Sequence, residues 1–302
     1  MLGFSVRSAI QFFAAALVIS VACWNGKVLA QQPQTRIMIM NADGSNPHPV
    51  ACIESYTRHG VPRFSPDGHE IVFEVSWKVS GEYEPHVYKV AADGGDAKDM
   101  GLGKMPSWSP DGKQIVFRIP PDVGESRAGV WIMNADGTGR EYLFPGHQPF
   151  FSPDGTRIVY TTEEQNGIRV FDILEGTHRT ISQPYSRITG YAAWSVDGKQ
   201  LCFIGRKESG ELELAISAAD GSQETPKVAW ADKSLARYPS WAPNQKFLLT
   251  IRTTGNNDQI YTFDPTHDSQ PQALEQPLSV KSFDGSWSPD LKRIVFVSDV
   301  PP

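Results

Sequence analysis

One short phrase recurs six times along the chain and limits the possible folds more than any other feature. It combines an aromatic residue, a turn of the Ser-Pro-Asp-Gly type and an apolar strand, as in residues 108–117. The third residue of the turn marks the copies, at Asp67, Asp111, Asp154, Asp197, Asn244 and Asp290. The spacings of 44, 43, 43, 47 and 46 residues are typical of repeat proteins, in which each unit packs on the next.

Each repeat contains four strand signals and no helical period. In the second repeat we predict strands at 106–109, 113–119, 129–134 and 140–144. The first pair and the second pair are each joined by an Asp-Gly turn, which suits antiparallel hairpins. Four such strands at a period of about 45 residues predict one blade of a β-propeller.

The two halves of the repeat are equal in number but out of phase. A second half opens the chain at 36–50, and a first half closes it at 286–297. Because an unpaired strand edge invites aggregation, we expect these terminal halves to pair with each other. The predicted fold is all-β, a six-bladed propeller of four-stranded antiparallel blades that forms a single domain over residues 31–302.

One aromatic residue precedes each turn at the same register in every repeat. The six are Phe64, Trp108, Phe151, Trp194, Trp241 and Trp287. Because the position recurs in all blades, we expect these rings to pack between neighbouring blades rather than to bind a ligand.

Residues 1–30 have the pattern of an export signal peptide. Arg7 precedes a nearly unbroken apolar run at 10–23, which is short for a membrane span, and small residues precede Gln31. A lipid anchor on Cys23 is an alternative, although the residues before it lack the expected bulky aliphatic side chain. We expect a periplasmic or secreted protein with no membrane span after cleavage.

The composition of residues 31–302 argues against several kinds of ligand. Loss of the signal leaves 26 basic and 34 acidic side chains, so nucleic-acid binding is not expected.

Cys52 and Cys202 lie in non-adjacent blades, and we predict no disulfide between them. Each turn supplies only one or two carboxylates, fewer ligands than calcium takes, so we predict turn caps, no metal and no cofactor.

The repeat resembles that of the TolB propeller family. The resemblance rests on residues 108–117 and 132–138 and extends over 36–297. It implies a periplasmic interaction module, because TolB binds a peptidoglycan-associated lipoprotein and other Tol-system proteins. Relatives also cap prolyl peptidases or form pectin-degrading lyases. The chain departs from TolB in lacking room for an N-terminal α/β domain, which predicts a stand-alone propeller.

The candidate ligand site lies in the loops that lead into the first strand of each blade. Four residues before the aromatic stand Gly60, Lys104, His147, Gly190, Arg237 and Phe283. Lys104, His147 and Arg237 are predicted to surround one mouth of the central channel, with His59 beside them. Two long loops on the same face add the other candidates, which are Trp77, Tyr83 and Arg127.

Three hypotheses for the function follow. We first expect a monomeric, non-catalytic scaffold that binds an envelope or exported protein or peptide, because neither Gly-x-Ser-x-Gly nor His-Glu-x-x-His occurs. The second is a lyase or other enzyme acting on an acidic polysaccharide through His59 or His147 with a metal. The third is a structural or sensory module of a larger assembly.

Overall fold

The computed structural model describes residues 23–24, 27–28, 34–121, 123–124, 127–181, 183–236, 238–242, 244–253, 257–276 and 280–299. Within these ranges every regular element is a β-strand. The predicted export signal lies outside the described residues, except for Cys23–Trp24 and Lys27–Val28, which pair with each other. Residues 34–302 form a compact unit of their own.

Six antiparallel sheets of this unit are the six blades, which confirms the predicted all-β, six-bladed architecture. We number them in chain order and give their strands from the innermost outward. Blade 1 comprises His59–Phe64, Glu70–Trp77, Tyr83–Ala91 and Lys98–Leu102; blade 2 comprises Lys104–Trp108, Gln114–Ile119, Gly129–Asn134 and Glu141–Phe144; blade 3 comprises His147–Phe151, Arg157–Thr161, Ile168–Asp172 and Thr177–Ile181. Blade 4 comprises Arg187–Ile188 with Ala193–Trp194, then Gln200–Arg206, Leu212–Ala218 and Lys227–Ala231; blade 5 comprises Ser240–Trp241, Phe247–Arg252, Asp258–Phe263 and Gln272–Ala273.

Blade 6 combines strands from both ends of the repeat region. Its inner strands are Ser282–Trp287 and Arg293–Ser298, and its outer strands are Arg36–Asn41 and His48–Ala51. Arg293–Ser298 runs antiparallel to Arg36–Asn41 along its whole length, from the pair Arg293 and Asn41 to the pair Ser298 and Arg36. This is the strand order that the out-of-phase half-repeats predict.

Short turns hold the first two strands of each blade together. In blade 2 the Ser109 hydroxyl donates to Asp111 Oδ1 (2.6 Å) and accepts from the Gln114 N–H (2.9 Å). The Lys113 N–H also donates to Asp111 Oδ1, and the Ser109 hydroxyl is the main cause that lowers the pKa of this carboxyl. The same pattern recurs at Asp67, Asp154, Asp197 and Asp290. These carboxylates cap turns, as the sequence predicts.

The recurring aromatic residues pack between blades. Phe64, Trp108, Phe151 and Trp194 are buried. The Trp108 indole N–H donates to the carbonyl of Arg63 in the preceding blade (3.3 Å), and Trp194 does the same to Phe150 (3.1 Å). Trp108 and Trp194 therefore join their blades to the preceding ones, in agreement with the packing prediction, whereas Trp241 and Trp287 are half-buried.

The two cysteines outside the predicted signal are both free, and Cys202 is buried in the middle of blade 4. Burial raises the pKa of its thiol, which makes it an unreactive apolar group rather than a nucleophile.

The ring has two distinct faces. The turns within hairpins, such as the one at Asp111, lie on one side, which we call the turn face. The connections between second and third strands, and those between successive blades, lie on the other, which we call the loop face. Of the candidate residues named from the sequence, those that the structure describes belong to strand ends and connections of the loop face: His59, Trp77, Tyr83, Lys104, Arg127 and His147.

Candidate functional site

The innermost strands start earlier than the sequence suggested. Lys104 and His147 are the first residues of their strands, rather than members of the preceding loops. The position three residues before the recurring aromatic residue has a left-handed backbone in blades 1, 2, 3, 5 and 6. Its φ is near 50° in Val61, Met105, Gln148, Tyr238 and Asp284. The pairing register shifts at this point in blades 1, 2, 3 and 6, as in a β-bulge. The bulge changes the direction in which the neighbouring side chains point.

Trp77, Tyr83 and Lys104 meet on the loop face. Trp77 and Tyr83 are paired residues of adjacent strands, and their ring centroids lie 5.0 Å apart. Lys104 Nζ lies 3.4 Å from the Tyr83 hydroxyl and 5.9 Å from the centroid of its ring. Trp77 remains 42% exposed, so an apolar surface borders the cation.

A line of polar side chains continues from Lys104 across three blades. Arg118 is paired with Lys104 across the first two strands of blade 2, which places their side chains side by side. The Arg118 guanidinium donates to His147 Nε2 (3.1 Å), and Gln165 Nε2 lies 3.4 Å from His147 Nδ1. Arg187 in turn donates to Gln165 Oε1 (3.0 Å). We call these five residues the cationic arc.

His147 is uncharged at neutral pH in this arrangement. Burial is the main cause that lowers its pKa to about 4, and the charges of Arg118 and Lys104 act in the same direction. Because a guanidinium can only donate, His147 Nε2 must be the accepting nitrogen, and the ring proton is on Nδ1.

The arc has more hydrogen-bond donors than acceptors. The Gln165 oxygen is engaged by Arg187, so the Gln165 amide nitrogen faces the protonated Nδ1 of His147. Two hydrogen-bond donors, the Gln165 amide nitrogen and His147 Nδ1, therefore lie 3.4 Å apart. The guanidinium groups of Arg118 and Arg187 and the ammonium group of Lys104 belong to the same arc. Such a site favours a ligand that brings acceptors and negative charge, such as a carboxylate.

His59 has a different environment from His147. It is only 4% exposed, and its Nε2 accepts the Ile53 N–H (2.8 Å) while its ring stacks on Phe73. Burial is the main cause that lowers its pKa to about 4, with a smaller effect of Arg36. His59 thus fastens the segment before blade 1 to the core, and its accepting nitrogen is already used.

Arg127 is not part of the arc. Arg127 is exposed and lies over the Tyr142 ring, with its guanidinium carbon 5.2 Å from the centroid. Its carbonyl accepts from the Trp131 indole N–H. Arg237 lies outside the described residues.

Sequence reasoning missed three members of the arc, namely Arg118, Gln165 and Arg187. Arg118 did carry a signal, because it interrupts the apolar strand Gln114–Ile119 and yet is buried. A charged residue in a buried strand needs polar partners, and here His147 is one. Gln165 lies in the connection between two strands of blade 3, and Arg187 begins the short first strand of blade 4. The approach of their side chains depends on how these two blades pack together.

Two features of the described residues are relevant to the alternative functions. Among them there is no group of three or more His, Cys, Asp or Glu side chains that could hold a metal ion. No helix in the same residues is long and apolar enough to cross a membrane.

Solved structures provide the informative comparison with known proteins. No protein-family model matches the sequence, and no curated protein matches it as a relative. A TolB candidate from Agrobacterium tumefaciens superposes with a TM-score of 0.70 at 17% identity, over 89% of this chain and 99% of that one. TolB from Acinetobacter baumannii gives a TM-score of 0.62 at 17% identity, over 91% of this chain and 65% of that one.

An enzyme also shares the architecture. An oligogalacturonate lyase from Vibrio parahaemolyticus superposes with a TM-score of 0.52 at 11% identity, over 80% of this chain and 77% of that one. At these identities the likeness concerns the fold alone.

Proposed function

Taking the TolB-like six-bladed propeller as the fold of this chain, we propose that the protein is a non-catalytic binding scaffold of the cell envelope. The cationic arc takes an acidic segment of a partner protein or peptide. The observation that carries this proposal is the surplus of donors between His147 and Gln165, next to Lys104 and Arg118.

Charge supports the proposal. The whole chain has a net charge of -6, and Lys104, Arg118 and Arg187 bring three cations together in the arc, where Glu164 is the carboxylate that acts on His147. This local excess of positive charge would attract an acidic partner. Complementary charge of this kind increases the rate of association and selects among partners more than it adds affinity.

The aromatic pair beside the arc supplies the apolar part of the surface. Trp77 and Tyr83 lie against each other at one end of the arc, and Trp77 keeps 42% of its surface exposed. Exposed aromatic residues next to cations are typical of protein-binding surfaces. The partner would therefore present acidic residues followed by an apolar side chain.

The cellular location is part of the same proposal. It rests on the export pattern of residues 1–30, which would deliver a monomeric propeller to the periplasm or the exterior. An envelope or exported protein would then be the available partner.

The lyase hypothesis needs a histidine with an available nitrogen. The Nε2 atom of His59 accepts the Ile53 N–H, and that of His147 faces the Arg118 guanidinium. Both atoms are engaged by protein donors, so the geometry supports binding over this chemistry.

A charge-reversal experiment tests the binding proposal. The double variant Lys104→Glu, Arg187→Glu should weaken binding of a labelled Glu-rich peptide by at least about tenfold, because two attractive contacts become repulsive. Fluorescence anisotropy at low and moderate salt measures the effect, and wild-type affinity should fall as salt rises.

The matched control also replaces two cationic side chains by glutamate, but on the turn face instead of the loop face. Lys199 and Lys292 are exposed and belong to the turns of blades 4 and 6. Lys199→Glu, Lys292→Glu should leave the affinity within about twofold of wild type. Equal weakening by the two pairs, or equal binding of a Gln-rich peptide, would show that the arc is not the binding site.

A further inference from the structure

The hairpin between the second and third strands of blade 3 contains an Asn-Gly pair beside the cationic arc. Asn166 and Gly167 follow Gln165 directly, and Asn166 is exposed to solvent. The Gln165 N–H donates to the Thr162 carbonyl (2.9 Å), and the Gln165 carbonyl accepts from the Ile188 N–H of blade 4 (2.7 Å). The Asn-Gly pair is therefore held next to a residue of the arc.

An Asn-Gly pair can react without an enzyme. The backbone nitrogen of the glycine attacks Cγ of the asparagine and closes a five-membered succinimide ring. The bond from Cγ to the amide nitrogen breaks, and ammonia leaves with the proton of the glycine N–H. Water then opens the ring and gives aspartate or isoaspartate. Glycine favours the attack because no Cβ stands beside its nitrogen.

Two contacts in the hairpin assist this reaction. The Thr162 hydroxyl donates to Asn166 Oδ1 (3.1 Å). This oxygen gains negative charge as the glycine nitrogen attacks Cγ, and a donor placed there stabilises that charge. The Gln183 side-chain amide donates to the Asn166 backbone carbonyl, which shares a peptide group with the Gly167 N–H. A donor on this carbonyl makes the N–H more acidic, and the attack requires the deprotonated nitrogen.

The Gly167 nitrogen is available for the attack. Its N–H donates no hydrogen bond to the residues that the structure describes. A side chain at this position is also disfavoured, because a Cβ on Gly167 would lie 3.1 Å from Thr162 Cγ2. The packing of the hairpin thus favours the residue that leaves the nitrogen most reactive.

We propose that Asn166 deamidates through a succinimide promoted by the Thr162 and Gln183 contacts, and that the new carboxylate weakens binding of an acidic partner at the cationic arc. The loss of binding rests on the proposed function, in which the arc takes an acidic segment. The product carries a negative charge next to Gln165, whose side-chain oxygen accepts from Arg187 (3.0 Å). Because like charges repel, the protein loses affinity for this partner as it ages.

Mass spectrometry of the folded protein tests the deamidation. Purified protein is incubated at mildly alkaline pH, and its tryptic peptide 158–169 is compared with that of an unincubated sample. We expect Asn166 to convert into a mixture of aspartate and isoaspartate, which peptide fragmentation distinguishes. Asn41 and Asn134 are internal controls and should remain amidated, because alanine follows each of them.

Two variants test the role of the contacts. Thr162→Val removes the hydroxyl but keeps the shape of the side chain, and it should slow deamidation by at least about threefold. Gln183→Met removes the other donor and should also slow the reaction. The proposal would be overturned if both variants deamidated at the wild-type rate. It would equally be overturned if Asn166 stayed intact in the folded protein while a synthetic peptide of residues 158–169 deamidated under the same conditions.

Fluorescence anisotropy with the labelled Glu-rich peptide tests the loss of binding. Asn166→Asp, and the deamidated fraction collected by anion exchange, should each bind about threefold more weakly than fresh wild type at low salt. Asn166→Gln is the matched control and should keep its affinity during incubation, because its longer side chain would have to close a six-membered ring. Unchanged affinity of Asn166→Asp would show that deamidation does not affect the arc.

The two measurements keep the proposals separate. If fresh wild type did not bind the peptide at all, the proposed function would fail, and the loss of binding would fail with it. The deamidation of Asn166 is measured by mass and does not depend on that result.

Discussion

Trp108→Ala should lower the free energy of unfolding by about 3 to 5 kcal/mol, because it removes a large ring from a close-packed interface between two blades. Trp108 is 7% exposed and packs in the cluster formed by Val72 and Val87 of blade 1 with Phe117 of its own blade. Its indole N–H also donates to the Arg63 carbonyl, and Lys89 Nζ lies 5.8 Å from the ring centroid. Urea unfolding followed by tryptophan fluorescence and by circular dichroism measures the loss.

A second substitution separates packing from hydrogen bonding. Blades 1 and 3 carry Phe64 and Phe151 at the same position, so the site accepts a phenyl ring. Trp108→Phe should therefore cost only about 1 to 2 kcal/mol, mainly for the unpaired Arg63 carbonyl. Trp77→Ala is the surface control and should cost less than about 1 kcal/mol. Equal losses for Trp108→Ala and Trp77→Ala would contradict the role of the recurring aromatic residues in blade packing.

The fold could be predicted because the residues that build it repeat. Ser109, Asp111 and Gly112 form one hydrogen-bonded turn, and the same residue types form it in other blades. Each turn is formed by residues that lie close together in the sequence. It can therefore be predicted without knowing which distant segments pack against it. The position of the aromatic ring before the turn is equally local, and its packing follows once blades lie side by side.

The candidate site could be predicted only in part, because it depends on contacts between different repeats. Lys104, Tyr83 and Trp77 lie together because all belong to the loop face of blades 1 and 2. The contact from Arg118 to His147 joins blades 2 and 3, and its geometry depends on the bulge at Met105 and Gln148.

The bulge itself had no clear marker in the sequence. A left-handed backbone usually favours glycine, and in blade 4 the positive φ of 90° falls one residue earlier, at Gly190. Val61, Met105 and Gln148 adopt the same region without that advantage. A β-branched residue such as Val61 is a genuine outlier at positive φ and persists only where the surroundings impose it. Backbone strain of this kind is visible in the structure but cannot be inferred from the sequence.

Acidification should destabilise the propeller through His59. The pKa of a histidine is ordinarily 6.5, and in the folded chain burial lowers that of His59 to about 4. Between these values the unfolded chain binds a proton that the folded chain does not, so the free energy of unfolding falls as pH falls. The contribution of His59 is about 2 to 3 kcal/mol between about pH 7 and about pH 4.5. Urea titrations at a series of pH values measure it.

His59→Gln should flatten this dependence, because a glutamine oxygen can still accept the Ile53 N–H but does not titrate. His147, whose pKa is also lowered to about 4, accounts for a remaining slope that His147→Gln would reduce. His86 acts in the opposite sense, because Asp99 raises its pKa, and its contribution is lost as pH rises. If His59→Gln kept the full wild-type slope, the protonation of His59 could not be what limits stability in acid.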